Sequence, residues 1–459
     1  MISDNNNIAN TIETPFAYKS NAKSYKTQSN SDIDLLKKGI WLYFFLWVFE
    51  GALRKWVLPG LSSPLLIIRD PLAIWLLIMA GKQNLFVLNH YIIGMGIIGF
   101  VGILTAIFFG HKSLSVALFG ARILLIHFPL IFVIGRVFTY EDVIKMGKMI
   151  VYISIPMAML VAMQFYSPQS AWVNRGVGGD IEGGGFSGAM GFFRPPATFS
   201  FITGTVAYYT LAASFIIFFY LNRSNTKQII LYAATFALIV VIPLSISRSL
   251  FFGVAIVLIS MAMAIGRKTE YLGKMVFGAV IISLLVIFLS GKSFFQTGTE
   301  AFTSRFETAN EQEGGVEGVL IDRFLGGMFA ALSNSSVLPF FGYGLGMGTN
   351  AGSKLLTGSS GFLIAEGEWC RVIGELGPLM GIVMIFLRLQ LGFIVAIASY
   401  KNLARGNLLP WLLLSMVLIN VPQGQWAQPS SLGFSVLVCG LAIAALKGPK
   451  EKKLKNRSQ

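Results

Sequence analysis

The sequence predicts an all-α polytopic membrane protein with about 12 transmembrane helices and two long loops on the outer, periplasmic face. Hydrophobic residues make up 54% of the 459 residues and charged residues only 12%, which is about half the charged fraction of a soluble chain. Apolar runs near 20 residues recur along the whole chain, so no separate soluble domain is visible. The runs are continuous rather than alternating, which favours helices over a barrel.

The helices divide the chain into one transmembrane domain, 38–446, and two cytoplasmic tails. The first tail, 1–37, is polar through Ser31 and contains no apolar core of a signal peptide, so it is expected to be disordered. The second tail, 447–459, is short and rich in lysine. The predicted spans are roughly 38–57, 64–80, 85–109, 113–135, 146–165, 197–221, 228–245, 249–265, 273–290, 368–398, 406–421 and 429–446.

Lysine sets the orientation of these spans. With this topology, 17 of the 21 lysines fall on one side, and that side is cytoplasmic because cytoplasmic loops retain positive charge during insertion. An even number of spans places both termini there. The formal charge of +15 is therefore mostly topological and does not indicate a nucleic-acid partner. Cys370 and Cys439 lie in or beside spans and do not suggest a disulfide framework.

Arginine follows a different pattern. Ten of the 15 arginines fall on the outer side or within spans, where insertion disfavours positive charge, so some of them are expected to bind a ligand. The planar guanidinium fork suits phosphate and carboxylate better than lysine does. Anchoring or pairing roles account for five of the ten, namely Arg54, Arg69, Arg122, Arg371 and Arg388.

Two outer loops are much longer than the other connections, and long loops often carry function. They run over 166–196 and 291–367. Half of residues 176–191 are glycine, a composition that disfavours helix and indicates either a mobile flap or a flexible linker.

Six short motifs occur in order along the chain. They are Glu50-Gly-Ala-Leu-Arg-Lys-Trp-Val-Leu-Pro, Arg194-Pro-Pro-Ala-Thr-Phe, Ser245-Ile-Ser-Arg-Ser-Leu, Asp322-Arg-Phe-Leu, Pro339-Phe-Phe-Gly-Tyr-Gly-Leu-Gly-Met-Gly and Glu366-Gly-Glu-Trp-Cys-Arg-Val-Ile-Gly-Glu-Leu-Gly. Together they resemble the O-antigen polymerase and O-antigen ligase superfamily of bacterial membrane glycosyltransferases. The resemblance covers roughly residues 190–400 and the N-terminal piece.

The resemblance implies transfer of an oligosaccharide from a polyprenyl diphosphate to a hydroxyl of an acceptor glycan, at the outer face of a bacterial plasma membrane. It implies no metal and no cofactor. It leaves room for a chain-length regulator and a flippase as partners beside the bilayer. Arginines can stabilise the charge that grows on the leaving pyrophosphate, and a general base activates the hydroxyl.

Arg194 and Arg248 are the first candidates for the donor pyrophosphate and for catalysis. Arg194 precedes two prolines and an apolar run, which predicts a helix N-terminus whose N–H groups help to hold an anion. Arg248 lies in a very short turn between two spans, where an arginine is a functional-site hypothesis by default. Lipid headgroup contact is the alternative for both residues.

Three further residues complete the predicted site. Arg323, on a predicted surface helix, is expected to assist in donor binding, unless it pairs with Asp322 or Glu317. Arg175 lies in the first loop, where polymerases of this type are thought to use arginine. Glu366 is the expected base, because the second loop lacks histidine and this glutamate stands where the ligases resembled here have one.

Glu368 and Glu375 compete with Glu366 for the role of the base. They stand three and four residues from Arg371, so helical ion pairs account for them.

Other functions remain open. A ligase that attaches glycan to lipid A core or to protein is the first alternative, and the missing histidine favours the polymerase. A lipid-linked oligosaccharide flippase is the second, but no internal repeat is evident and the outer loop of 77 residues argues against transport.

Overall fold

A computed structural model describes residues 30–222, 226–266, 270–313, 331, 333, 338–359, 361–365 and 367–449 of the chain. It is 76% helical, which confirms the all-α prediction. The helices are α1 (Asn30–Ala52), α2 (Arg69–Lys82), α3 (His90–Phe108), α4 (Leu114–Arg122), α5 (Phe128–Val137), α6 (Tyr140–Tyr166), α7 (Ile202–Leu221), α8 (Gln228–Leu244), α9 (Arg248–Ile265), α10 (Glu270–Ser290), α11 (Ser293–Glu313), α12 (Asn350–Thr357), α13 (Glu368–Ala404), α14 (Leu409–Gln423) and α15 (Pro429–Ala445).

Short helical turns and one hairpin complete the architecture. A π-helical turn, Leu53–Val57, continues α1, and a second one, Ile123–His127, joins α4 to α5. Short 3-10 turns cover Pro59–Leu61, Pro64–Ile67 and Trp172–Asn174. Strands β1 (Phe186–Ala189) and β2 (Phe192–Arg194) pair antiparallel.

Eight helical segments of the described chain are long and apolar enough to cross a membrane, and three shorter apolar helices accompany them. The protein is therefore an all-α membrane protein. The count of twelve spans stays a prediction, although each predicted span overlaps a helix. Several boundaries differ. The first helix begins at Asn30, so residues 30–37 of the tail expected to be disordered are helical, and α6 begins at Tyr140 instead of 146. The helix expected from 197 begins only at Ile202. Residues Ala197 to Ser200, after the two prolines, form turns instead.

The centre of the bundle is formed by α15. Every residue from Leu432 to Ala445 is buried, so this helix is enclosed on all sides by protein. Glycines allow close approach on the side of α5, where a Cβ on Gly135 would lie 2.6 Å from Ile443 and one on Gly440 would lie 2.7 Å from Ile134. The apolar helix in the middle thus packs through small residues, as is common between membrane helices.

The helix α10 at the periphery is, unlike α15, mostly exposed on the surface of the protein. In α10, only 6% of the most apolar stretch is buried inside the protein, although this stretch has the highest hydropathy of the eight candidate spans. Such a helix has little protein to pack against and presents its side chains to lipid.

The helix α13 is two helices that fold back on each other at Gly377. This glycine has φ 76° and ψ 170°, a left-handed value that favours glycine. The carboxylate of Glu368 nevertheless lies 2.6 Å from the guanidinium of Arg388, whereas 20 residues of straight helix would span about 30 Å. The predicted span 368–398 is therefore wrong in its first part, because Glu368–Leu376 runs back alongside the helix that follows Pro378.

Replacing Gly377 with alanine should destabilise the protein strongly. A Cβ there would lie 2.0 Å from the carbonyl oxygen of Phe340, and this backbone conformation, which is essentially restricted to glycine, alone costs alanine about 1–3 kcal/mol. Thermal unfolding in detergent should show a lower midpoint for Gly377→Ala than for Gly96→Ala, whose added Cβ meets no atom within 4 Å. Equal midpoints for the two variants would contradict the described fold-back.

Candidate functional site at the α8–α9 turn

The β-hairpin fixes the position of Arg194. Phe186 pairs with Arg194 and Ala189 with Phe192, and the two-residue turn between the strands has positive φ at both Met190 and Gly191, as a type I′ hairpin requires. The Nε of Arg194 donates to the carbonyl oxygen of Ser187, at 3.1 Å. Its guanidinium carbon lies 5.8 Å from the ring centre of Phe186. Arg194 thus ends a strand and does not lie at a helix N-terminus, contrary to the sequence prediction.

The hairpin packs on the turn between α8 and α9. A Cβ on Gly188 would lie 2.7 Å from the side chain of Ile246. Ile246 is buried and has a left-handed φ of 47°, which an isoleucine adopts only when its surroundings enforce it. Two residues later, Arg248 is the first residue of α9. The strand pair that carries Arg194 and the turn that carries Arg248 are therefore in direct contact.

Arg248 lies at a helix N-terminus, which is the position that the sequence predicts for Arg194. The first N–H groups of a helix have no partner within it, and the helix dipole makes that end positive. The preceding residue, Ser247, makes no side-chain cap to these groups. A guanidinium at such an end adds positive charge to a positive pole, which disfavours the helix slightly and favours an anion. Arg248 is half-buried.

The beginning of the second long loop reaches the same turn. α11 begins three residues after α10 ends, and a Cβ on its Gly298 would lie 2.7 Å from Leu244 of α8. The hydroxyl of Tyr166, at the end of α6, donates to the carbonyl of Phe294. Rings of α9 and α11 cluster beside the first turn of α9, with members Phe251, Phe252, Phe302 and Phe306. The two loops predicted to carry function thus meet around Arg248.

The segment after the hairpin is held by the end of α1 and the turn that follows. The Nζ of Lys55 donates to the carbonyls of Ala197 and Phe199, at 2.5 and 2.8 Å. The hydroxyl of Thr198 donates to the carbonyl of Val48, at 2.7 Å. Because Lys55 is 1% exposed, these carbonyls are its stabilising partners in the protein interior.

Two side chains fasten the base of the first loop. The amide of Gln164 donates to the carbonyls of Val173 and Ala197, and its oxygen accepts from the N–H of Ala197 at 2.7 Å. The amide of Asn174 donates to three carbonyls at 3.0 Å, those of Gln164, Ser167 and Pro168. The glycine-rich stretch therefore starts and ends at fixed points.

Of the three remaining predicted site residues, the structure describes only Arg175. Arg175 is exposed on the first loop, and its carbonyl packs on Gly184. Arg323, with the surface helix predicted around it, and Glu366 lie outside the described residues.

The two competing glutamates are engaged in buried ion pairs. Arg371 binds Glu368 at 2.9 Å and Glu375 at 2.8 Å, which are the helical pairs expected from the sequence. Arg388 binds Glu368 and donates to the carbonyls of Val421 and Gly424, at 2.7 and 2.9 Å. All four charged side chains are at least 95% buried. Neither glutamate has the exposure expected of a base that must reach a glycan hydroxyl.

A second buried charged layer involves residues of the first third of the chain. Glu50 lies 3.3 Å from Arg54 and 3.2 Å from Arg69. Asp70 lies 2.8 Å from both Arg122 and His127. The pairing roles expected for the three arginines are thus present. Their acidic partners were not identified from sequence, although charged residues in apolar helices mark such positions.

Comparison with known proteins gives no assignment: no protein-family model matches the chain, and no curated protein matches it.

Replacing Arg388 with methionine should destabilise the protein by about 3 kcal/mol or more, because breaking a buried pair leaves an uncompensated charge and unpaired carbonyls. The expected result is a clearly lower unfolding midpoint in detergent. Arg405→Met is the matched control, since Arg405 is exposed at the end of α13. A change in Arg388→Met no larger than in this control would show that the ion pair does not stabilise the fold-back.

Replacing Lys55 with methionine should loosen residues 197–201, because two buried carbonyls lose their donor. Hydrogen exchange of peptides covering this segment should become faster, while peptides of α15 should stay protected. Lys82→Met, a change at an exposed lysine at the end of α2, provides the comparison. Unchanged exchange at 197–201 in Lys55→Met would argue against the anchoring role.

Proposed function

We propose that this protein is a membrane glycosyltransferase that polymerises polyprenyl-diphosphate-linked oligosaccharide repeat units on the outer face of a bacterial plasma membrane. The observation that carries the proposal is the contact of the β1–β2 hairpin with the α8–α9 turn. It brings the strand pair that carries Arg194 against the turn before Arg248, through Gly188 of β1 and Ile246. Two arginines and a helix N-terminus thereby share one end of the bundle.

In the proposed reaction, a hydroxyl oxygen of the acceptor glycan attacks the anomeric carbon of the donor sugar. The bond between that carbon and the diphosphate oxygen breaks, and the electron pair leaves with the polyprenyl diphosphate. Arg194, Arg248 and the first N–H groups of α9 would stabilise this negative charge. The hydroxyl proton goes to a base, for which we propose Glu366. Arg175 and Arg323 would assist in donor binding.

Access from the membrane is consistent with this assignment. Only 28% of the most apolar stretch of α9 is buried inside the protein, so the helix that begins with Arg248 borders lipid over much of its length. A donor anchored by its polyprenyl chain moves within the bilayer and would approach Arg248 along this side. Diffusion in the membrane plane would then deliver the diphosphate to the proposed site.

The test is polymerisation in a defined system. The purified protein in nanodiscs, supplied with polyprenyl-diphosphate-linked repeat units, should produce a ladder of glycans. Arg194→Lys and Arg248→Lys should each reduce the rate by about tenfold or more, because lysine cannot bind two phosphate oxygens in a fork. Arg405→Lys should retain the wild-type rate.

The other outcomes identify the alternatives. A single addition to a lipid or protein acceptor would indicate a ligase, and transport of the donor without bond formation would indicate a flippase. Absence of any ladder with lipid-linked substrates would contradict the proposed polymerase. Full activity in both lysine variants would contradict the site assignment.

A further inference from the structure

A pair of stacked tryptophans lies at the start of the first loop, and the proposed reaction does not use it. Trp56 follows α1, and Trp172 begins a short 3-10 turn. Their ring centres are 5.6 Å apart with an angle of 26° between the planes. The indole N–H of Trp56 donates to the carbonyl of Trp172 at 3.0 Å. The ammonium of Lys55 lies 4.5 Å from the Trp56 ring centre.

The stack is held in place and yet open on one side. Lys55 is anchored on the carbonyls of Ala197 and Phe199, so the Trp56 ring packs against a fixed cation. Trp172 is 57% exposed. A large, rigid aromatic surface of this kind binds a ligand with little loss of side-chain entropy.

We propose that the Trp56–Trp172 stack is a carbohydrate-binding platform on which a pyranose ring of the acceptor glycan packs. The assignment of this sugar as the acceptor rests on the proposed function. The C–H groups on one face of a pyranose are apolar and weakly positive, and they complement the negative face of an indole ring. Sugar hydroxyls at the edge of the ring then need hydrogen-bonding groups around the platform.

The loop next to the stack supplies such groups. Arg175, Asp180 and Glu182 are exposed. The N–H of Arg175 donates to the carbonyl of Trp172, at 3.3 Å. The N–H of Glu182 donates to a carboxylate oxygen of Asp180, at 3.0 Å. Exposed charged side chains on the loop that follows Trp172 can hydrogen-bond to sugar hydroxyls, which a hydrocarbon chain lacks.

The position of the stack also fits an acceptor. It lies at the start of the loop whose last strand carries Arg194, and the glycine-rich stretch connects the two. The N–H of Gly178 donates to the carbonyl of Arg54 at 3.0 Å, which places this stretch beside the turn that carries Trp56. An extended glycan lying along the loop would therefore reach from the platform towards the proposed donor site.

The alternative to a bound glycan is contact of the two tryptophans with lipid at the membrane interface, where tryptophans are enriched. Val57 and Leu58, which follow Trp56, are exposed and apolar. An experiment on the platform must therefore separate glycan from lipid.

Binding of lipid-free glycans provides the first measurement. The full-length protein in nanodiscs is applied to an array of soluble oligosaccharides from bacterial surface polysaccharides. The wild type should bind at least one of them, and Trp172→Ala should bind about tenfold more weakly or worse, which corresponds to about 1.4 kcal/mol. Trp172→Phe should retain most of the affinity, because it keeps an aromatic face. Phe340→Ala removes a ring that is 61% exposed on another loop and should bind like the wild type.

Fluorescence quenching provides the second measurement. The emission of Trp172, taken as the difference between wild type and Trp172→Phe, should be quenched by acrylamide from the aqueous side. Quenching by lipids with brominated acyl chains would place the stack in the membrane interface and overturn the proposal. Binding to no oligosaccharide, or equal binding by Trp172→Ala with an unchanged unfolding midpoint, would also overturn it.

The two proposals can fail separately. Glycan binding that depends on Trp172, without any polymerisation, would support the carbohydrate-binding platform and contradict the proposed polymerase. Polymerisation by Trp172→Ala with an unchanged KM for the acceptor would support the proposed polymerase and contradict the carbohydrate-binding platform.

Discussion

The ion pair between Arg388 and Glu368 connects more of the chain than any other charged contact described above. It joins the two halves of α13, and the same guanidinium binds the carbonyls of Val421 and Gly424 at the end of α14. The guanidinium carbon of Arg388 lies 3.8 Å from the ring centre of Trp426. A charge this deeply buried is stable only when its partners satisfy it completely. The fold-back of α13 is what brings those partners together.

The dependence of the Arg388–Glu368 pair on the fold-back also illustrates which parts of the fold the sequence predicts. Apolar runs identify helices such as α3 and α10 because their side chains meet lipid or apolar neighbours. The pairs of Arg371 with Glu368 and Glu375 are visible because three or four residues separate them on a helix. The pair of Arg388 with Glu368 is not visible, since it depends on a reversal at Gly377. A glycine followed by proline suggests a break but does not give its direction.

In the candidate site, too, the sequence predicts one part of the local structure and not another. A short turn around Arg248 follows from the sequence, since two apolar runs approach within a few residues. The neighbourhood of Arg194 does not, because glycine-rich sequence is compatible with many conformations. The hairpin depends on long-range contacts, among them Gly188 with Ile246 and Lys55 with the carbonyl of Ala197. These partners are separated from the hairpin by many residues and by several helices, so no local pattern reveals them.

The contrast between α10 and the central helices has a consequence for biosynthesis. α10 offers a stretch of 20 mostly apolar residues from Tyr271 to Ser290, enough for a translocon to release it into the bilayer without help. α14 and α15 have only 15 and 17 residues, and most of their side chains are buried in protein. These two helices follow, in chain order, most of the helices against which they pack. Late synthesis therefore suits short segments whose insertion relies on partners that are already assembled.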